Sequence, residues 1–264
     1  MIQFEAISSG SSGNSILVRD GESTLLVDAG ISTKRITEEL RIYGLEPKDL
    51  SGIFITHEHI DHVAALPLIA VKYQIPVYMS EGTFYRVEHS SRDPEGLLKP
   101  LFKPVRAGEY FTLGSFLVKP FQTFHDAQEP LAYRFESGGK AFAVFTDSGS
   151  YTEETVEMLS GLDGLLLESN HDIRMLEVGP YPYELKRRIL SRFGHLSNDD
   201  AAELVGRIWS PRLKVLLLGH ISENNNYPDI VRVTMENRLK EMGVLDRVLL
   251  SVAERGVKTP MFTL

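Results

Sequence analysis

The stretch Thr56-His57-Glu58-His59-Ile60-Asp61-His62 carries the strongest structural signal in this chain, because it packs three histidines and an aspartate into six residues. The chain has only eight histidines among its 264 residues, so chance does not readily explain such a cluster. Imidazole and carboxylate groups are ligands that zinc, manganese and iron accept. The stretch therefore predicts a metal site, with a solvated polar loop as the alternative interpretation.

The flanking segments predict how the chain presents this cluster. Gly52–Thr56 is a short apolar run with β-branched residues, which is typical of a buried strand, and Val63–Tyr73 has the pattern of a helix. Because a strand end is a rigid platform, a tight loop at that point can turn several side chains towards one position. The cluster is therefore expected between a strand and a helix.

Strands and helices alternate through the rest of the chain. A helix capped by Ser32 is predicted to reach Tyr43. Further strands are predicted at Ile2–Ile7, Ser15–Arg19, Thr24–Asp28, Val77–Met79, Phe116–Phe121, Leu131–Phe135, Ala141–Phe145, Gly164–Glu168, Val215–Leu218 and Val248–Ser251. Further helices are predicted at Glu153–Leu159, Tyr183–Arg192, Asn198–Trp209 and Asp229–Met242. This order predicts one domain over residues 1–264 with an α/β fold, in which helices cover two sheets as an αββα sandwich.

Length, composition and charge exclude several classes of protein. An apolar share of 42% and a charged share of 24% are ordinary for a soluble globular protein. No signal peptide or membrane span is predicted, so a cytoplasmic enzyme is expected. The absence of cysteine excludes disulfides and thiolate ligands. Since the net charge is −8, a nucleic-acid substrate would have to be attracted locally, by bound metal or by a basic patch.

The HxHxDH pattern resembles the signature of the metallo-β-lactamase superfamily, and the remaining positions of that signature follow in order at predicted strand ends. These positions are His125 in Phe124-His125-Asp126, Asp147 in Phe145-Thr146-Asp147-Ser148-Gly149, and His220 in Leu218-Gly219-His220-Ile221-Ser222. Asp28, in Leu26-Val27-Asp28-Ala29-Gly30, matches the aspartate that supports the first metal loop. The resemblance spans nearly the whole chain.

The resemblance implies a site for two divalent ions, with zinc or manganese expected and iron also compatible. The implied ligands are His57, His59 and His125 for the first ion, Asp61, His62 and His220 for the second, and Asp147 as a bridge. Two ions about 3.5–4 Å apart can activate one water and stabilise both the attacking and the leaving oxygen. Their charge favours an anionic substrate such as a phosphodiester.

Four later motifs indicate a branch of the superfamily. Gly10–Asn14 (GSSGN), Glu168–Asp172 (ESNHD), Tyr181–Ile189 (YPYELKRRI) and Gly194–Asn198 (GHLSN) resemble the YycJ/VicX (WalJ) type of hydrolase, which is related to the tRNA 3′-processing endonucleases. The resemblance implies a metal-dependent phosphodiesterase, specifically a 5′ to 3′ exonuclease acting on DNA. Catalytic roles are implied for Asp61, Glu168 and His195, with proton transfer assigned to the last two.

Residues outside the ligand set are candidates for binding the substrate. They are Asn14, His171, Lys186, Arg188 and Arg192. The loop Ser8–Asn14 lacks the lysine of a nucleotide-binding P-loop, so Asn14 is expected to offer only its amide or backbone, with a flexible turn as the alternative. The basic residues lie close before His195, and a solvated helix face is the alternative for them.

Two other functions stay open at this level. One is a small-molecule hydrolase on the same scaffold, such as a cyclic phosphodiesterase or a thioesterase; Glu168 and His195 favour a phosphodiester substrate but leave its size open. A metal-free binding module is disfavoured by the complete set of ligand positions. The sequence leaves open the metal identity, the choice among DNA, RNA and a small phosphodiester, the polarity of cutting, the oligomeric state and the pathway.

Overall fold

Two mixed β-sheets lie face to face, and helices cover the outer side of each sheet. The structure, a computed structural model, describes residues 1–90, 93 and 95–264. In this part of the chain the strands are β1 (Gln3–Ser8), β2 (Ser15–Arg19), β3 (Thr24–Val27), β4 (Gly52–Phe54), β5 (Val77–Met79), β6 (Phe102–Pro104), β7 (Phe111–Leu113), β8 (Phe116–Gln122), β9 (Leu131–Ser137), β10 (Lys140–Phe145), β11 (Gly164–Glu168), β12 (Val215–Gly219), β13 (Leu249–Val252) and β14 (Phe262–Thr263). The helices are α1 (Thr33–Ile42), α2 (Ile60–Val63), α3 (Leu66–Tyr73), α4 (Glu81–Glu88), α5 (Glu153–Leu159), α6 (Ile173–Val178), α7 (Tyr183–Ile189), α8 (Asn198–Ile208) and α9 (Pro228–Glu241). Short 3-10 helices lie at Pro47–Asp49, Lys99–Leu101 and Leu245–Arg247.

Each sheet combines antiparallel and parallel strands. The first sheet has the order β14-β1-β2-β3-β4-β5-β6, and the second has the order β13-β12-β11-β10-β9-β8-β7. The strands from β3 to β6 are parallel neighbours, as are those from β10 to β13. Strands β3, β4, β11 and β12 are buried along their whole length, because another layer covers both faces of their sheet.

Aromatic side chains fill the space between the sheets. Phe4 of the first sheet stacks on Phe142 of the second, with ring centroids 4.0 Å apart. Phe54 meets Tyr133 and Phe135 edge to face at 5.2 and 5.3 Å. Such ring pairs add to the burial of apolar area, so they hold the two sheets in a fixed alignment. Two further apolar clusters lie outside, one under α1, α3 and α4 and one under α5, α8 and α9.

Strand direction explains why distant segments meet at one edge of the sandwich. Strand β8 runs in the same direction as β10, β11 and β12, because two antiparallel steps separate it from β10. In the first sheet β1, β3 and β4 also share one direction. Strands that run in one direction place their carboxyl ends at the same edge, where α/β proteins commonly bind ligands. Most of the predicted ligands follow these strand ends.

The αββα sandwich predicted from the sequence is confirmed, with differences in the elements. The predicted helix Val63–Tyr73 is two helices, α2 and α3, and Pro67 lies in the first turn of α3, where a missing N–H costs nothing. The predicted helix Tyr183–Arg192 ends already at Ile189. In the described residues, α4, α6, β6, β7, β14 and the three 3-10 helices were not predicted. No helix in the described ranges is long and apolar enough to cross a membrane.

Gly30 allows the metal-loop segment to pack against the neighbouring strand end. A Cβ atom at this position would lie 1.6 Å from the carbonyl oxygen of Asp61 and 2.8 Å from the backbone nitrogen of Asn14. The same carbonyl accepts a hydrogen bond from the Asn14 N–H at 2.7 Å, and the Ala29 N–H donates to the His62 carbonyl at 2.8 Å. Three loops are therefore joined through their backbones where only glycine fits.

We expect Gly30→Ala to destabilise the protein by more than about 3 kcal/mol, because the backbone atoms that its methyl group would meet cannot rotate away. Gly206→Ala in α8 is the matched control, since its added Cβ meets the mobile guanidinium of Arg238. Urea unfolding of both variants measures the effect. A Gly30→Ala variant as stable as Gly206→Ala would show that the loop has room to move.

Candidate metal centre

Six of the eight histidines come together at the common edge of the two sheets, with three carboxylates. The potential ligand atoms form four overlapping groups, each within 4.8 Å: His57, His59 and His125; Asp61, His62 and His220; His57, His62 and Asp147; and Asp147, Glu168, His195 and His220. All seven ligand positions predicted from the sequence are therefore in one cluster. The first two groups coincide with the two predicted ligand sets.

Asp147 lies between the two predicted sets. Its Oδ2 is 3.5 Å from Nε2 of His62, and its Oδ1 is 3.3 Å from Nε2 of His220. Oδ1 is also 3.9 Å from Nε2 of His125, in the other set. A carboxylate in this position could contact two cations at once.

The ring nitrogens that face away from the centre are held by the protein. Nδ1 of His62 lies 2.8 Å from Asp28 Oδ2, and Nδ1 of His57 lies 3.0 Å from the Thr56 hydroxyl. Nδ1 of His125 lies 3.0 Å from the Gly194 carbonyl. Contacts of this kind fix ring orientation and tautomer in metal sites, so Nε2 is the nitrogen that each of these rings has for a ligand; in His62 this nitrogen also lies 3.0 Å from the Asn14 amide.

Atoms at the middle of the cluster lack hydrogen-bond partners, and buried polar atoms of this kind indicate a site that suits a cation. Across the described residues, His57 Nε2, His220 Nε2 and Asp147 Oδ2 are buried without a partner. Buried polar atoms are normally paired, and a site for an ion is one explanation of exceptions. The donor set of imidazole and carboxylate fits zinc, manganese or iron.

The electrostatics of the cluster also suit a cation. Burial lowers the pKa of His57 well below its usual range and also lowers the pKa of His125, so both rings stay neutral, the form that binds metal. Burial opposes a charge on His220, yet Asp147, Asp61 and Glu168 outweigh it and raise the pKa of that ring to about 10. Negative charge that favours a proton here also favours a metal ion.

Three residues of the centre adopt left-handed backbone conformations at strand ends. The φ angles are 61° at Asp28, 57° at Asp147 and 53° at His220. This conformation is uncommon outside glycine and costs about 1–3 kcal/mol where the surroundings impose it. The sharp turn that it makes directs each side chain towards the centre directly after its strand.

Glu168 joins His195 to the centre. Its Oε1 lies 2.7 Å from Nδ1 of His195 and 3.0 Å from Nδ1 of His220, while Oε2 accepts backbone N–H bonds from Ser148 and Leu196. Although burial alone would raise the pKa of Glu168, the adjacent histidines hold it well below its usual range. The carboxylate therefore stays ionised and orients His195, whose Nε2 is left for the cleft that this residue lines.

A cleft of about 250 Å³ opens over the centre. Beyond the predicted ligands and His195, its walls include Ser11, Tyr181, Leu185, Arg188, Ile189 and Ser222. Helix α7 and the turn before it thus form an aromatic and apolar wall opposite the metal ligands. Arg188 lines the cleft as predicted, and its guanidinium is paired with Asp126.

The other predicted substrate-binding residues lie outside the cleft lining. Asn14 is only 2% exposed, and its amide lies 3.0 Å from Nε2 of His62, so it contacts the metal loop. His171 is buried and neither ring nitrogen has a partner in the described structure; burial lowers its pKa to about 4. Lys186 donates to the Glu177 carbonyl, and Arg192 lies between two aromatic rings. Substrate contact by these four residues stays a prediction that their positions do not favour.

Sequence reasoning missed two groups that the structure places at the centre. The Thr56 hydroxyl lies 3.0–3.1 Å from the Asp28 carboxylate, His57 Nδ1 and His62 Nδ1, so it connects three residues of the metal loops. Asn170 donates to the His220 carbonyl at 2.9 Å. A hydroxyl directly before the histidine motif was the available signal for the first, whereas the second depends on packing.

Comparisons with known proteins agree with this geometry. Residues 9–159 match the sequence model of the metallo-β-lactamase superfamily. The exodeoxyribonuclease WalJ of Streptococcus pneumoniae is 38% identical over 241 residues, which cover 90% of this chain and 88% of that protein. The exodeoxyribonuclease YycJ of Bacillus anthracis is 37% identical over 242 residues, which cover 92% of this chain and 90% of that protein. The metallo-β-lactamase fold protein YhfI of Bacillus subtilis shares the fold, with a TM-score of 0.71 at 17% identity over 98% of this chain and 100% of that one. This chain therefore belongs to the metallo-β-lactamase superfamily, in the group of the WalJ and YycJ proteins.

Proposed function

We propose that this chain is a metal-dependent DNA exonuclease that removes nucleotides from the 5′ end. The observation that carries the proposal is His195, which Glu168 holds at 2.7 Å beside two adjoining sets of metal ligands. An imidazole in that position suits a reaction whose leaving oxygen needs a proton. The names of the relatives that are 37–38% identical to this chain support DNA as the substrate.

Two divalent ions, zinc or manganese, would be held by the predicted ligand sets, with Asp147 between them. When bound, they supply positive charge for the phosphate oxygens and lower the pKa of a coordinated water. The chain provides the orientation, because Asp28, Thr56, Gly194 and Glu168 fix the ligand rings from behind. Asp61 belongs to the second set, and its catalytic role is to keep that ion in place.

His195 supplies the proton to the leaving oxygen, and Glu168 fixes its ring. Nδ1 is occupied by the carboxylate, so Nε2 is the nitrogen that acts in the cleft. Because Glu168 also contacts His220, a single carboxylate sets the position of the proton donor relative to the metal ligands.

The cleft favours the end of a strand over a segment within one. Its volume of about 250 Å³ is small for a ligand site, and Tyr181, Leu185 and Ile189 close one side of it. About one nucleotide fits between this wall and the metal ligands. A cytoplasmic location stays a prediction from the sequence.

A labelled-strand assay tests the proposed function. With Mn²⁺ or Zn²⁺ present, we expect a 5′-labelled DNA oligonucleotide to release labelled mononucleotide at once, whereas a 3′-labelled strand should shorten progressively. RNA, a cyclic phosphodiester and a thioester are parallel substrates. Faster hydrolysis of the cyclic phosphodiester or the thioester would replace the exonuclease with a small-molecule hydrolase, and early release of the 3′ label would reverse the polarity.

We expect two divalent ions per chain after reconstitution, and a large loss of both in Asp147→Ala, because that carboxylate lies between the two ligand sets. His89→Ala is the matched control, since His89 is the exposed C-cap residue of α4 and its ring contacts Tyr85 of that helix. Elemental analysis measures the ratio. Fewer than about one ion per chain in the wild type would disprove the dinuclear site.

His195→Ala should keep both metal ions and reduce turnover of DNA by about 10²–10⁴-fold, the usual contribution of a general acid. The reduction should be much smaller with an activated aryl phosphodiester, because its leaving group needs no proton. Turnover of both substrates and metal content are measured on the same preparation. Equal slowing on both substrates, or loss of metal, would assign His195 to another role.

A further inference from the structure

A second cleft adjoins the metal centre on the far side of His125. It encloses about 380 Å³, and its walls include Thr123, His125, Gln128, Pro130 and Phe193. His125 also lines the first cleft, so the two clefts meet at a predicted metal ligand. A polynucleotide whose scissile phosphate lies at the centre could therefore place one nucleotide in each cleft.

Phe193 is an exposed aromatic residue at this junction. It is 47% exposed, and it stands two residues before His195. The guanidinium of Arg192 lies 5.3 Å from the ring centroid of Phe124 and 5.1 Å from that of Phe193. The cation therefore lies between two rings, which restrains the exposed ring and places a positive charge beside it.

The loop that carries Phe193 is held firmly on several sides. The Gly194 N–H donates to the Ser191 carbonyl at 2.9 Å, and the Ser150 hydroxyl donates to the Arg192 carbonyl at 2.9 Å. A Cβ atom on Gly149 would lie 2.4 Å from the Gly194 nitrogen, so the neighbouring strand end packs tightly against this loop. The aromatic face is thus presented on a rigid support.

The acidic side chains near the second cleft are paired with backbone N–H groups, which makes the cleft compatible with a nucleotide. The Glu129 carboxylate accepts the Gly82 N–H at 2.7 Å, and the Glu58 carboxylate accepts the Gln128 N–H at 2.8 Å. Of these four residues, Gln128 and Glu129 line the cleft, and both acids accept hydrogen bonds from backbone donors. The guanidinium of Arg192 lies 5.1 Å from the centroid of the Phe193 ring, and among the described residues no carboxylate pairs with it within 4.0 Å.

We infer that Phe193 is a stacking platform for the base next to the scissile phosphate, and that the DNA strand crosses the metal centre from the first cleft to the second. The inference rests on the proposed function and assigns a binding residue for it. Every base has a π-face, so such a platform tolerates all sequences. This suits an enzyme that must degrade a strand base by base.

The test combines Phe193 variants with abasic substrates on the metal-loaded protein. Removal of a base–aromatic stack costs about 5- to 100-fold in affinity, so Phe193→Ala should raise KM for a DNA oligonucleotide by that factor. Phe193→Trp should remain close to the wild type, and Phe193→Leu should behave like the alanine variant because it lacks a π-face. Tyr85→Ala, an exposed aromatic residue that lines neither cleft, is the matched control.

Substrates with one abasic sugar at the first, second or third position from the end locate the contact. At one of these positions, the missing base should raise the KM of the wild type as much as Phe193→Ala raises it for the intact strand. The same abasic substrate should raise the KM of Phe193→Ala little further, because both changes remove the same interaction. The inference would be overturned if the abasic sugar and Phe193→Ala raised KM additively at every position. A KM of Phe193→Ala equal to that of the wild type would also overturn it. A wild type that degrades no DNA overturns the proposed function and this inference together, whereas normal degradation by Phe193→Ala overturns the inference alone.

Discussion

The buried carboxylate of Glu168 is the point on which the rest of the centre depends. It contacts His195 and His220 through one oxygen and two backbone N–H groups through the other. A buried charge is tolerated only when such partners surround it, so the carboxylate and its partners form one unit. Strand β11 ends at this residue, between β10 and β12, whose ends carry Asp147 and His220. The position of His195, the proposed proton donor, is therefore tied to that of two predicted metal ligands.

Rigidity of the strand ends makes this arrangement reproducible. Asp28, Asp147 and His220 have left-handed φ angles, and they keep them because the following residues are fixed by neighbouring loops. Gly30 contributes through its lack of a side chain, because the carbonyl oxygen of Asp61 lies where a Cβ atom would be. The left-handed backbone at three strand ends and the missing side chain at Gly30 together allow loops from both sheets to meet at one point.

The sequence predicted well which side chains meet at the centre, because each predicted ligand follows a short apolar run. The direction of each strand is enough to place its carboxyl end at the common edge. The surroundings of the cluster were harder to predict. Arg192 was expected at the end of the predicted helix Tyr183–Arg192, but α7 ends at Ile189, and the loop places Arg192 between Phe124 and Phe193. The wall made by Tyr181 and Leu185 also depends on long-range packing, which no local pattern encodes.

The charge balance of the centre explains why the proposed substrate needs contacts with the protein in addition to the metal ions. Four carboxylates surround the ligand rings, those of Asp28, Asp61, Asp147 and Glu168. Together they would offset the four positive charges of the two proposed divalent ions, so the expectation that the charge of the ions alone attracts a phosphate does not hold in a chain of net charge −8. Arg188 is paired with Asp126, which reduces its contribution. Binding energy must then come from the nucleoside on each side of the phosphate, and the walls of both clefts offer the aromatic and apolar surface to provide it.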